Sequence, residues 1–283
     1  MCIRDSYRVD WESQTVRISL VGARQTIRFT IPDHSAKWAG YPTDTADLLF
    51  RHGSWWLHIV VTVPAPDIAP TEQVTGVDLG IVRPAVTSNN HFLGKRAWKA
   101  IEGKLFHRKR ALQRKGTRSA KRHLKRVRSR QVRFRRDCDH VLSKQIAGSV
   151  ESGSTIVIES LTDIRKRSKV RRKTATSRLI HGWSFAQLRT FIAYKAEERG
   201  CTVVAVDPRH TSQTCSCCGH VARNNRRSRG RFVCRNCSVE LHADLNAARN
   251  IAAKYHASVA RRDAGGLPIS QPIVSSRESA TFD

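Results

Sequence analysis

Four cysteines form two C-x-x-C pairs, Cys215/Cys218 and Cys234/Cys237, with fifteen residues between the pairs, and Asp244 follows the last of them by seven positions. Each pair sits on a tight turn that aims two thiolates at one point. Two such pairs complete a tetrahedral Zn²⁺ site of the zinc-ribbon kind. Sulfur fills all four positions and leaves no place for water, so the zinc is expected to be structural. A hairpin this poor in apolar residues needs the metal in order to fold. Cys217 adjoins Cys218 and is read as a free thiol. Cys2, Cys138 and Cys201 have no metal-like partner.

Charge narrows the partners. The 283 residues carry 51 Lys and Arg against 23 Asp and Glu, a formal net charge of +28. A chain this basic repels itself unless it meets a polyanion, and nucleic acid is the first candidate because neutralised phosphates release counterions. An anionic membrane surface is the other. The sequence holds no apolar run of about 18 residues and no apolar signal region at its start. The expectation is therefore an intracellular protein without a membrane partner, where reduced thiols favour metal over disulfide. Oligomeric state is not legible.

The chain divides by pattern. Residues 14–64 alternate, with Val16, Ile18 and Leu20 on one side of one strand and Ile27, Phe29 and Ile31 in the next. They are expected to form a small antiparallel β domain, part of a barrel, over residues 1–70, ending in the Pro-rich linker 64–70. A strand carrying Asp78 then opens a hairpin, and residues 95–150 read as a helical pair broken at 115–117. Leu124, Val127, Phe134, Cys138, Val141, Leu142 and Ile146 mark its packed face. Between Lys95 and Arg136 there are nineteen Lys or Arg and one acid, Glu102. A solvated helix face mixes signs, and this one does not.

Phosphate contact is therefore assigned to Arg108, Lys109, Arg110, Arg114, Lys121, Arg122, Lys125 and Arg126. Arg171 and Arg172 of a second basic segment join them, as do Arg226 and Arg227 of the loop between the cysteine pairs. Further on come a buried strand ending in Glu159, a helix packing Phe185, Leu188, Ile192 and Ala196, a strand before residue 208, and a helix from Asp244 to about Tyr255. The tail 261–283 reads as disordered. Trp98, Trp183 and Phe185 are candidates for base stacking, with core packing the stronger reading for Phe185.

Three carboxylates stand out: Asp78 inside an apolar strand, Glu159 at the end of another, and Asp244 opening a helix. Taken singly, Asp244 is a helix-start acid and Glu159 a strand-end residue facing water. Together they suggest a site for two divalent cations, Mg²⁺ by the hardness of the oxygen donors, acting on a phosphodiester.

The motifs "GVDLGI", "IVIES" and "TSQTCSCCGH…FVCRNC…HADLNAARNIA" resemble the three split RuvC motifs and the zinc ribbon of the TnpB family, over roughly residues 40–257. That family is similar to the compact type V CRISPR effectors. The resemblance implies an α/β RNase H-like (RuvC) nuclease domain over 71–208, a zinc ribbon inserted at 209–240, and a last RuvC helix at 241–260. It implies a Mg²⁺-dependent, RNA-guided DNA endonuclease of the prokaryotic cytoplasm or nucleoid, partnered by guide RNA and target DNA. Asp78, Glu159 and Asp244 fall on the catalytic acids, and Cys215, Cys218, Cys234 and Cys237 on the zinc ligands. His242 departs from the pattern, since many members carry an acid there. Members also carry a helical insert in the N-terminal barrel, so this chain is expected to be truncated at its N-terminus. A binding protein without cleavage and a DNA-joining transposase remain alternative readings.

Overall fold

A computed structural model describes residues 2–3, 7–51, 53–80, 83–161, 185–263 and 271–272. Arg171, Arg172 and Trp183 lie outside the described residues, as do the side chain of Cys2 and most of the tail. The chain forms two compact units, Met1–Ala65 and Pro66–Asp283.

The first unit holds two three-stranded antiparallel sheets. One contains β1 (Cys2–Ile3), β5 (Thr43–Arg51) and β6 (Ser54–Val61), in the order β1-β5-β6. The other contains β2 (Tyr7–Asp10), β3 (Thr15–Ser19) and β4 (Arg24–Arg28), in sequence order. Val16 and Ile18 are buried as their alternation requires, whereas Leu20 lies beyond the strand and is exposed. No pairing joins the two sheets into a barrel among the described residues. Every residue of β4, whose sequence is RQTIR, faces water, so that strand offers no apolar row on which closure could be built.

The second unit is built on a six-stranded sheet. Its strands are β7 (Val74–Leu79), β8 (Ala85–Thr87), β9 (Phe92–Leu93), β10 (Thr155–Glu159), β11 (Thr202–Val206) and β14 (Gln271–Pro272), in the order β14-β11-β10-β7-β8-β9. The central strands β7, β10 and β11 run parallel, and β8, β9 and β14 are antiparallel to their neighbours. β14 gives regular structure to two residues of a tail expected to be disordered.

Parallel strands buried on both faces read as continuous apolar runs, as "TIVIE" does in β10. Ile156 and Ile158 face one side with Val77 and Leu79 of β7. They meet Leu142 and Ile146 of α2 (Arg118–Gly148) and Leu188, Ile192 and Ala196 of α3 (Phe185–Glu197). Val157 and Val206 face the other side and meet Ile251 of α4 (Ala243–Asp263), which runs two turns past Tyr255, where the sequence reading ended it. Gly76 explains how closely α4 lies on the sheet. A Cβ there would fall 2.1 Å from the Ala248 carbonyl oxygen and 2.6 Å from the Ala252 nitrogen, so only glycine fits.

α1 (Ala97–Lys115) and α2 are joined at Gly116, whose φ of 64° is left-handed and ends α1. Thr117 then caps α2, accepting the Ala120 amide at 3.2 Å. The single acid of the basic stretch clamps the pair. Glu102 takes two hydrogen bonds from Arg135, at 2.6 and 2.8 Å, and one from Gln131 at 3.0 Å. Among the described residues, no helix is long and apolar enough to cross a membrane.

Candidate active site and metal centre

Period-two alternation decides where the acids point. Val77 and Leu79 face α2 and α3, so Asp78 faces α4. Ile156 and Ile158 do likewise, so Glu159 joins Asp78 on the α4 side. The parallel register pairs Ile158 with Val77, which brings Glu159 level with Asp78 one step on. Asp244 enters the same space from the first turn of α4. The structure thus brings together all three acids that the sequence singles out.

Their electrostatics are those of a crowded buried site. Burial, then the charges of Glu159 and Asp244, raise the Asp78 pKa to about 8 against the pull of Arg226. Burial also raises Glu159, opposed by a 2.6 Å hydrogen bond from the Thr211 hydroxyl and by Lys254. Lys254 itself is held by the carbonyls of Asp207, at 2.8 Å, and Arg209. Asp244 accepts a hydrogen bond from the Arg226 guanidinium at 3.1 Å, and its amide donates to His242 Nδ1 at 3.3 Å. Three carboxylates are hard oxygen donors and suit Mg²⁺. They are not drawn as close as a single ion would hold them, with Arg226 bonded to one of them. Among the described residues, only the four cysteines gather three or more ligand atoms all within 4.8 Å of one another.

Those cysteines make the second centre. The sulfurs of Cys215 and Cys237 lie 3.7 Å apart, and those of Cys218 and Cys234 lie 3.6 Å apart. Tetrahedral Zn–S bonds of about 2.3 Å require S···S separations of about 3.8 Å, so the cluster is compatible with a structural zinc. The His220 amide and the Asn236 side chain lower Cys218 to about 6, and the Cys237 and Asn236 amides lower Cys234. The antiparallel pair β12 (Arg231–Val233) and β13 (Glu240–His242) closes the hairpin around Phe232. Cys217 is exposed, Cys201 is buried, and burial with nearby acids pushes the half-buried Cys138 thiol up to about 12.

Sequence reasoning missed the groups that tie the hairpin to the sheet. Asn246 and Asn250, one turn apart on α4, both donate to the Thr214 carbonyl, at 2.8 and 2.7 Å. Asn250 also donates to the Thr211 carbonyl at 2.8 Å, and Asn246 accepts the Ser216 amide at 3.0 Å. Their signal was polar residues at i and i+4 on a helix face that otherwise buries apolar residues.

The cations divide. Arg110, Arg114, Lys121, Arg122, Lys125, Arg126 and Arg227 are exposed. Arg108 is exposed too but contacts His123 at 3.1 Å. Lys109 turns inward to donate to Gln131 at 2.8 Å, and Arg226 turns inward to Asp244. Of the described aromatic candidates for stacking, both Trp98 and Phe185 pack against the core.

A profile described as "Cas12f1-like, TNB domain" matches residues 185–251. The chain is 31% identical over 223 residues to the CRISPR-associated endodeoxyribonuclease Cas12f1 of Sulfoacidibacillus thermotolerans, covering 71% of this chain and 50% of that one. It is 33% identical over 127 residues to the TnpB-like protein MJ0751 of Methanocaldococcus jannaschii, covering 44% of each. It thus spans about half the length of these relatives. Its fold resembles that of Cas12f1 in a cryo-EM complex with sgRNA and target DNA, with a TM-score of 0.51 and 21% identity over 89% of this chain and 66% of that one.

Proposed function

We propose that this chain, a member of the TnpB family, acts as an RNA-guided, metal-dependent DNA endonuclease through an RNase H-like (RuvC) domain. The observation that carries the proposal is the convergence of Asp78, Glu159 and Asp244 from three elements onto one face of the sheet, in a chain of net charge +28. The strand order β9-β8-β7-β10-β11, an antiparallel meander followed by two parallel strands, supports the RNase H-like reading. Names and complexes of the relatives favour the same activity.

Each part then has a task. The acids would hold two Mg²⁺ ions. Bound there, the ions would activate water and stabilise the leaving oxygen of a phosphodiester. Thr211 orients Glu159, and His242 fixes the backbone amide of Asp244. Arg226, carried by the zinc hairpin, balances the acid cluster and stands where a phosphate would arrive. The exposed cations of α1 and α2 grip the backbone of a guide–target duplex, and base pairing supplies the sequence specificity. The zinc holds the hairpin in shape and takes no part in the chemistry.

A cleavage assay tests this reading. Protein purified with its bound RNA is given the matching target DNA, with and without added Mg²⁺, beside Asp78→Ala and Asp244→Ala. Mg²⁺-dependent cutting lost in both variants, with nucleic-acid binding retained, is the expected result. Binding without cutting in every sample would identify a binding protein, and products joined to a second DNA would identify a transposase.

A further inference from the structure

The acid row continues across the sheet to an aromatic ring. Val86 pairs with Asp78, and Phe92 pairs with Val86. Paired residues on adjacent strands point to the same face, so Phe92 stands on the face of Asp78, two strand spacings or about 10 Å away. Leu93, its neighbour in β9, packs into the core on the opposite face, which fixes this parity. Val86 between them is fully buried, whereas Phe92 is 39% exposed at the edge of the sheet.

The surroundings of the ring are polar and cationic. His242 meets it at right angles with centroids 4.9 Å apart, and the Arg83 guanidinium lies 5.0 Å from its centroid. His242 stands two residues before Asp244, so the ring is linked to the third acid as well as to the first. The exposed Lys95 and Arg96 follow within four residues. A lone exposed phenylalanine needs no special explanation. This one is in line with two carboxylates, at a distance of about three stacked nucleotides or fewer extended ones.

We propose that Phe92 is a positioning residue that stacks an unpaired base of single-stranded DNA and so sets which phosphodiester lies at the acids. Arg83 takes a neighbouring phosphate. Stacking on an aromatic ring tolerates every base, as a nuclease guided by pairing elsewhere requires. This inference rests on the nuclease reading above.

The test uses the full chain without added divalent cation and single-stranded DNA of about 12 nucleotides, carrying one abasic position stepped along its length. Wild-type protein is expected to lose about tenfold in affinity at one or two adjacent abasic positions. Phe92→Leu keeps an apolar side chain without a π face. It is expected to bind intact DNA about tenfold more weakly and to lose the positional dependence, while Phe92→Trp retains both. The scan on wild-type protein needs no variant to fold. An unchanged affinity and profile in Phe92→Leu would overturn the role of Phe92 alone. Wild-type protein with no affinity for single-stranded DNA would overturn the nuclease reading too. A positional profile seen only with the matching RNA would overturn the assignment to DNA.

Discussion

The central sheet and the cysteine hairpin supply adjoining parts of one site, yet they keep their shapes by different means. The sheet is packed on both faces, with Ile156, Ile158, Leu188 and Ile192 on one side and Val157 and Ile251 on the other. The core of the hairpin is Cys215, Phe232, Cys234 and Ala243, two of them members of the four-cysteine cluster. The first can therefore hold buried carboxylates at an electrostatic cost. The second depends on its donor set, and through Arg226 and the α4 asparagines it delivers a cation to the acids.

The largest effect should come from removing one sulfur. Structural zinc contributes roughly 10–16 kcal/mol in small hairpins. Cys234→Ser should therefore release the zinc and unfold the hairpin, while the unfolding transition of the sheet persists. Metal analysis beside thermal unfolding checks this, and retained stoichiometric zinc would remove the four-cysteine clamp.

Next comes the contact between sheet and helix. In Gly76→Ala the new Cβ would meet backbone at 2.1 Å and push α4 off β7. A loss of about 3 kcal/mol in denaturant unfolding is expected, with cleavage falling because Asp244 moves from Asp78. Wild-type stability in this variant would mean that α4 does not sit so close.

The pH dependence separates the two regions again. The Asp78 pKa is about 8 in the folded chain and lies near 3.8 when exposed, so folding favours its protonated form. The contribution of Asp78 to stability without divalent cation is then largest below about pH 4 and falls as pH rises toward 8. Asp78→Asn should flatten that slope and raise the melting temperature at pH 7. An unchanged slope would mean that Asp78 is not buried among like charges.

The smallest effect concerns Thr211. Thr211→Val removes the 2.6 Å hydrogen bond to Glu159 and should raise the Glu159 pKa further. Cleavage near neutral pH is expected to drop about tenfold and to recover in part at higher pH. A uniform loss at every pH would assign Thr211 a merely structural role.

Much of this was legible in the residues. Spacing alone assigns the four cysteines to one centre, and the apolar runs "GVDLGI" and "IVIES" mark Asp78 and Glu159 as strand carboxylates, while the parallel register of β7 and β10 turns them to the same face. Gly116 and Thr117 announce the break between the basic helices. What escaped depends on reach across space. Arg226 and Lys109 sit in cationic runs that read as phosphate contacts, yet each finds a protein partner, Asp244 and Gln131. Nothing local distinguishes them from their exposed neighbours. Phe92 escaped because a two-residue strand shows no periodicity, and its place is set by pairing through β8. The role of β14 is likewise invisible, since pairing with β11 is made by backbone.

Asp78, Glu159 and Asp244, from three elements, are proposed to form one cation-binding site. Titration of Mn²⁺ into the zinc-loaded protein, followed by electron paramagnetic resonance, tests it without any cleavage. Wild-type protein should bind Mn²⁺, Asp78→Asn should lose most of that binding, and zinc content should be equal in both. Equal Mn²⁺ binding by the two proteins would mean that Asp78 holds no cation.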